Sequence, residues 1–384
     1  MPISFGILLI TCTVTANNAT RVLVTLYALK LGAQPLTVGM LAATFAVFPM
    51  LLSMQAGKIT DRLGSRLPIM LGATGSACAL LLPYFLASIP ALFIAAAVIG
   101  LTSMLCSLSN QNLIGTLSTT ANRTRNFNNA SLAVSVAGAV GPLFAGFAID
   151  HFGAATAFLC IAGVFLTPVI LLAIWGGMLP GGKISAEPAR GVLHMLKNPQ
   201  VWPLLAASSL SQSGLDLFLV YMPVYGYAHG LSASQIGMVL AMAAAGGFAA
   251  RIVLMRLIAW SGEEKVLAFA LCVGAFGFAA VPFFQSAVAL GIIAIAFGFG
   301  MNCTQPITIS LLYTRSPQGR AGEALGLRFT TDNAARLVSP GIYGVVAAAL
   351  GVSAVFWLNA LVLGCGGLLS RHGSDKRKRV RHDG

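Results

Sequence analysis

An all-α polytopic membrane protein, with twelve transmembrane helices in two pseudo-symmetric six-helix bundles, is the fold this sequence predicts, and three observations predict it. The first is an internal repeat. The two halves overlay at a constant shift of 198 residues without a gap: Tyr27 falls on Tyr225, Gly32 on Gly230, Gly39 on Gly237, Gly64 on Gly262, Gly100 on Gly298, Pro142 on Pro340 and Gly146 on Gly344 (for example 340 − 142 = 198). Most of these residues set backbone geometry, and their recurrence inside long apolar segments marks a parallel structural repeat. The second is composition: 57% of residues are hydrophobic, 9% are charged and mean hydropathy is +0.85. A soluble domain usually carries about a quarter charged residues, so this chain belongs in lipid. The third is length, because a span needs about 20 apolar residues, and 384 residues hold roughly twelve spans with their loops.

Taken in order, the apolar segments predict helices over 5–28, 36–57, 67–86, 91–115, 127–149, 155–178, 201–226, 235–258, 266–283, 287–313, 324–348 and 352–370. Helices are required because no backbone crosses lipid with unpaired hydrogen bonds, and the short alternating strands of a β-barrel are missing. The first segment lacks a basic leader and is interrupted by Asn17, Asn18, Thr20 and Arg21, which predicts a retained helix rather than a signal peptide. These segments group into an N-terminal bundle over 1–179, a polar connecting loop over 180–200, a C-terminal bundle over 201–370 and a basic tail over 371–384.

Charge predicts orientation. With the N-terminus in the cytoplasm, Lys58, Arg62, Arg66, Arg123, Arg125, Lys183, Arg190, Lys197, Arg256, Lys265, Arg315, Arg320 and the tail fall on the cytoplasmic side, and Lys30 falls opposite. This bias predicts a bacterial inner-membrane protein with both termini inside. It also accounts for the net charge of +13 without nucleic acid. The tail segment Lys376-Arg377-Lys378-Arg379 is a solvated anchor suited to anionic lipid. The seven cysteines are scattered through predicted spans without CxxC spacing, and the five histidines fall in predicted loops or the tail. No metal site, cofactor or enzymatic function is therefore expected.

Between the second and third segments stands Gly57-Lys58-Ile59-Thr60-Asp61-Arg62-Leu63-Gly64-Ser65-Arg66. This G-x-x-x-D-R-x-G-x-R run resembles the signature of the major facilitator superfamily, and with the repeat and the twelve spans the resemblance covers essentially the whole chain. It implies that Gly57, Asp61, Arg62, Gly64 and Arg66 form a cytoplasmic gate. A tight turn at Gly64 would bring an acid and its flanking bases to facing helix ends. The second copy, Met255 to Gly262, keeps a base and the glycine but has Ala259 in place of the acid. Ala137-x-x-x-Gly141-Pro142-x-x-Ala145-Gly146 likewise resembles the superfamily's antiporter motif with two alanines for glycines. Its Gly141, Pro142 and Gly146 suit a bend and close helix packing.

Polar residues concentrate on helices 1, 4, 7 and 10, including Asn18, Asn110, Gln111, Gln212, Asn302 and Gln305, and because polar groups are costly against lipid these helices are expected to line a wet cavity. Four charges, Arg21, Asp216, Asp332 and Arg336, are read as lying inside spans, where each needs a partner or a function. Asp332 and Arg336 stand four apart on helix 11 with the acid first, a spacing that predicts a pair. Asp216 has no base within its own turn. Its repeat partner is Asn18, three residues before Arg21, which would let Asp216 and Arg21 approach across the pseudo-twofold axis. Asp216 is thus the expected proton-coupling carboxylate. The resulting reading is a monomeric, proton-coupled exporter of a small amphipathic organic molecule, resembling bacterial drug and metabolite antiporters. Uptake or exchange of an organic anion held by Arg21 and Arg336 is the alternative within transport, and a non-transporting sensor or lipid translocator is the alternative outside it.

Overall fold

The computed structural model describes residues 2–118, 123–176, 201–315 and 321–382, and it is helical throughout these segments apart from short turns. Twelve long helices are described: α1 (Pro2–Lys30), α2 (Pro35–Leu63), α3 (Arg66–Phe85), α4 (Ile89–Thr116), α5 (Arg123–Phe152), α6 (Ala154–Trp175), α7 (Trp202–Ala228), α8 (Ala233–Ser261), α9 (Glu263–Ala280), α10 (Ala287–Arg315), α11 (Ala321–Leu350) and α12 (Val352–His382). Nine of them, α1 to α6 and α8 to α10, are long and apolar enough to cross a membrane. The protein is therefore a multi-pass membrane protein.

The 198-residue shift survives in the helix boundaries. Adding it to the ends of α2, Pro35–Leu63, lands on the ends of α8, and adding it to the ends of α5, Arg123–Phe152, lands on the ends of α11. Each described helix in the first half has a partner in the second. Every described glycine with positive φ also has a partner: Gly32 and Gly230, Gly64 and Gly262, Gly153 and Gly351. These three pairs end helices in a conformation that costs a residue with a Cβ about 1–2 kcal/mol, so the repeat is set by residues that stop helices as much as by residues that form them. The pair Gly153 and Gly351 also obeys the 198 shift and adds to those read from the sequence.

The chain forms two compact units, Met1–Glu187 with Met222–Ala241, and Pro188–Tyr221 with Met242–Gly384. In the first, α1 packs along α5 and α6, and α3 lies between α4 and α6. Leu9, Ile69, Leu113 and Leu172, one from each of α1, α3, α4 and α6, form a closed apolar cluster. In the second unit the corresponding helices meet through aromatic rings: Phe218 of α7 stacks on Phe297 of α10 at 4.4 Å, Phe297 meets Phe278 of α9 edge-on at 4.8 Å, and Phe356 of α12 closes the group at 5.9 Å from Phe278. Rings at these separations add roughly 1 kcal/mol per pair to area burial. The two units thus fill equivalent places with different chemistry.

Two features differ from the sequence expectations. The helices overrun the expected spans at several ends, and α12, expected to end at 370, continues through the basic segment to His382. His151 closes α5 and stacks on Phe147 at 4.0 Å, and His372 and His382 fall inside α12, so these histidines are helical rather than in loops or an unstructured tail. His194 lies outside the described residues.

Candidate functional site

The polar residues of the second unit are not dispersed. Ser208, Gln212 and Asp216 recur every four residues along α7, and Arg328, Asp332 and Arg336 recur every four along α11, so each set forms one stripe. The two stripes meet as a ladder with two charged rungs. In the first rung Arg328 Nη2 stands 3.4 Å from Asp332 Oδ2, with the side chains 4% and 11% exposed. Arg328 Nε donates to Ser208 Oγ at 2.6 Å, Ser208 reaches Asp332 Oδ1 at 3.0 Å, and Ser209 donates to the same oxygen at 3.1 Å. In the second rung Arg336 Nε donates to Asp216 Oδ2 at 2.8 Å, and Gln212 Nε2 donates to that oxygen at 3.2 Å. Here the side chains are 38% and 14% exposed. Beyond the ladder, Ser213 donates to Ser339 at 2.7 Å and Tyr221 to the Pro340 carbonyl at 2.9 Å, which fixes α7 to α11 along its length.

This arrangement corrects one expectation. Asp332 takes Arg328, one turn before it, and not Arg336, one turn after. Within the second unit Asp216 meets Arg336; within the first, the Arg21 guanidinium lies 5.7 Å from the centre of the Phe45 ring. Arg328 and Arg251 also stand inside long helices, α11 and α8. Arg328 was detectable in the sequence, standing at i−4 from Asp332 as Arg336 stands at i+4. Spacing alone does not choose between the two; Ser208 and Ser209 on α7 do. The ladder is confined to the second repeat, since Ile10, Val14, Asn18, Ala130, Val134 and Gly138 occupy the matching positions of the first. Its cost shows in the helices that carry it, because α7 and α11 are outside the set apolar enough to span by composition.

In the first unit the hydrogen bonds of the expected cavity residues join neutral groups. Asn110 donates to Thr13 at 2.9 Å, Ser103 donates to Asn17 at 3.1 Å, and Thr60 meets Ser109 at 3.2 Å. Gln111 is exposed and bonds Ser107 at 3.4 Å. In the second unit Asn302 bonds the Gly298 carbonyl of its own helix, and Gln305 is exposed. The residues expected to line a cavity thus differ: Asn110 is buried and ties α4 to α1, Asn302 bonds its own helix, and Gln111 and Gln305 are exposed.

Of the gate motif, Gly64 ends α2 with φ 73°, and Arg66 begins α3 and packs against Gly176 at the end of α6. The side chains of Asp61 and Arg62, and Gly57 apart from its helical backbone, lie outside the described residues. In the second copy Glu263, four residues after Ala259, starts α9 and accepts from Ser310 at 2.6 Å.

The bend motif places Gly141 against α1, where an added Cβ would meet the Thr15 carbonyl at 2.7 Å, and Gly146 against Ala233 at the start of α8, while Gly237 of α8 approaches the Pro142 carbonyl. The contact ends in a cap from a different helix. Asp150 of α5 accepts from Ala233 N at 3.2 Å and Ser234 N at 2.8 Å, while Ser232 and Gln235 form a reciprocal capping box. The first three amides of α8 are thereby satisfied, two of them by a carboxylate favoured at a helix N-terminus. Asp150→Ala is expected to speed hydrogen exchange at Ala233 and Ser234 about fivefold, as loss of a cap worth ~1 kcal/mol implies. Unchanged exchange would show that the capping box alone holds this end.

Known proteins place the chain in a family. A family model described as Major Facilitator Superfamily matches residues 6–340. The chain belongs to this superfamily. It is therefore a secondary transporter and not an enzyme. This superfamily member is 25% identical over 324 residues to multidrug resistance protein MdtG of Serratia proteamaculans, covering 80% of this chain and 76% of that one. It is 26% identical over 242 residues to sugar efflux transporter A of Escherichia coli, covering 60% of this chain and 58% of the relative. Among solved structures, a POT family transporter in complex with 5-aminolevulinic acid superposes with a TM-score of 0.82 over 97% of this chain and 96% of the other at 12% identity, a likeness of fold alone.

Proposed function

We propose that the protein exports a small amphipathic organic molecule across a bacterial inner membrane by alternating access, driven by proton entry, with both termini in the cytoplasm and bundles over 1–179 and 201–370 as the moving parts. The observation that carries this reading is the charged ladder on α7 and α11, and within it the rung Asp216–Arg336. A carboxylate coupled to a proton gradient must gain and lose its proton in the cycle, and protonation breaks its ion pair. In the closed rung that leaves Arg328 buried with its main counter-charge gone, at a cost of about 3–5 kcal/mol. In the other rung the Arg336 side chain is 38% exposed, so loss of its partner costs less. On this reading Asp216 is the coupling carboxylate, and Asp332 holds the buried rung. The names of the distant relatives, the positive-inside bias and the Gly141-Pro142 bend support export.

The test is transport in inside-out proteoliposomes with two probes, a fluorescent lipophilic dye and a radiolabelled disaccharide. An acidic interior is expected to drive accumulation of at least one, and reversing the gradient to drive its release. Exchange that ignores the gradient would overturn coupling. The exposure of Arg336 also favours a second reading, an organic anion as solute. In that case Arg336→Gln abolishes binding of a carboxylate compound and spares a neutral one, because only the former loses a charge-assisted bond. Loss of both would assign Arg336 to structure. The superfamily resemblance further assigns Asp61 to the cytoplasmic gate. Asp61→Asn is expected to lower transport severalfold at normal expression and to raise cytoplasmic labelling of cavity cysteines; unchanged labelling would reduce the motif to a topology signal.

A further inference from the structure

The end of α7 and the start of α8 belong to the second repeat, yet Met222–Ala241 pack in the compact unit of Met1–Glu187. In a carrier whose two repeats move against each other, this segment must leave its place once per cycle. We infer that Asp150 is the latch that holds it there: the carboxylate ties the first turn of α8 to the end of α5 while the non-cytoplasmic side is shut, and releases it when that side opens. The inference rests on the alternating access proposed above and adds a positioning residue to it.

Three features carry it. The first is that the bonds run between helices and use the groups that a separation would part. Asp150 Oδ1 accepts from Ala233 N at 3.2 Å and Oδ2 from Ser234 N at 2.8 Å, so each carboxylate oxygen holds one amide of α8. The helices meet there backbone to backbone: a Cβ at Gly146 would strike Ala233, and one at Gly237 would strike the Pro142 carbonyl. Close approach of this kind lets a short aspartate side chain reach two amides.

The second is that a helix at this place in the repeat forms without such a cap. The partner of α8 is α2, which begins with Pro35 and has no side-chain cap. Subtracting 198 from Ala233 gives Pro35, which has no N–H, and adding 198 to Asp150 gives Ala348 (150 + 198 = 348). Gly39 and Gly344 keep the small positions that match Gly237 and Gly146. The glycines thus recur across the repeat, while the acid and one of its two amide donors do not.

The third is that the latch can open without stranding a charge. Asp150 is exposed, and beside it a cavity of about 270 Å³ is lined by Lys30, Tyr227 and Ser232 as well as by apolar Leu26 and Ile236. A cavity of this volume with polar walls can hold water, which hydrates the freed carboxylate and amides. The capping box of Ser232 and Gln235 lies within α8 and its approach, so it stays with the helix when Asp150 lets go.

The experiment is labelling with a membrane-impermeant maleimide in oriented proteoliposomes, read peptide by peptide so that the native cysteines stay in place. The outer reporter is Leu26→Cys, buried on α1 at the cavity wall, and the cytoplasmic reporter is Gln305→Cys, exposed on α10. Asp150→Ala is expected to raise labelling of the first from the non-cytoplasmic side about fivefold, as loss of a cap implies, and to lower labelling of the second from the cytoplasmic side. Ala233→Pro removes one donor at a helix position where proline is tolerated, and is expected to shift both reporters in the same directions. Fraying of α8 alone would raise the outer signal and leave the cytoplasmic one unchanged. That result overturns the inference, as does no change in either reporter. Neither readout needs a solute or a gradient, so a failure of proton coupling in transport refutes the export reading and leaves the latch standing.

Discussion

Asp216→Asn abolishes gradient-driven accumulation and spares exchange: this is the expected result on which the coupling assignment stands. The substitution preserves shape and retains a bond to Gln212, but it removes the charge that Arg336 Nε meets at 2.8 Å. Exchange of solute for solute uses the loaded carrier in both directions and never requires the site to lose its proton. Net accumulation requires that loss once per cycle. The variant is locked in the protonated equivalent, so accumulation is expected to fall at least about tenfold, the effect of ~1.4 kcal/mol or more on the coupled step, while exchange stays within about twofold of the unaltered protein. The measurement is the ratio of the two rates in one preparation, which cancels differences in reconstitution. Normal accumulation by the variant sinks the assignment, and Asp332 becomes the candidate. Equal loss of both rates indicates a structural role instead.

Arg328→Met is expected to cost more stability than Asp150→Ala, Asp216→Asn or Arg336→Gln. The Arg328 side chain is 4% exposed and its counter-ion 11%, and removing the base leaves Asp332 ionised and buried with only hydroxyl donors. Breaking a buried pair on one side costs about 3–5 kcal/mol, whereas replacing both partners by apolar side chains of similar volume is often neutral. The double variant Arg328→Met, Asp332→Leu is therefore expected to recover most of the loss. Unfolding of detergent-solubilised protein measures both. A double variant no more stable than the single one would show that Ser208 and Ser209, and not charge neutralisation, hold the rung. If the double variant recovers stability but accumulates no solute, Asp332 has a function beyond packing.

The same residues show how far a linear reading reaches. The repeat, the helix count and the superfamily were legible because they depend on residues whose effect is local: glycines that end helices, a proline that bends one, and apolar runs long enough to cross lipid. Gly64 and Gly262 do their work whatever surrounds them, and so the 198-residue shift appears in the sequence and again in the helix ends. Helix ends were less legible, because α12 continues into a basic segment whose polarity suggested an early stop, although lysine and arginine are good helix formers.

The site was legible by residue and not by partner. Asp216, Asp332 and Arg336 stood out because charge inside a span is costly wherever it falls. Which acid meets which base is another kind of question. Asp332 has a base one turn before it and another one turn after, and periodicity treats them alike. The choice was made by Ser208, Ser209, Gln212 and Asp216, more than a hundred residues away along the chain and brought alongside α11 by the packing of α7. The same packing buried one rung and left the Arg336 side chain of the other 38% exposed. By itself, then, the sequence determined that this is a two-repeat helical membrane protein with costly charges on two helices of the second repeat. Only the tertiary structure decided how those charges pair, because pairing energy depends on distance and exposure, and neither is a property of position along the chain.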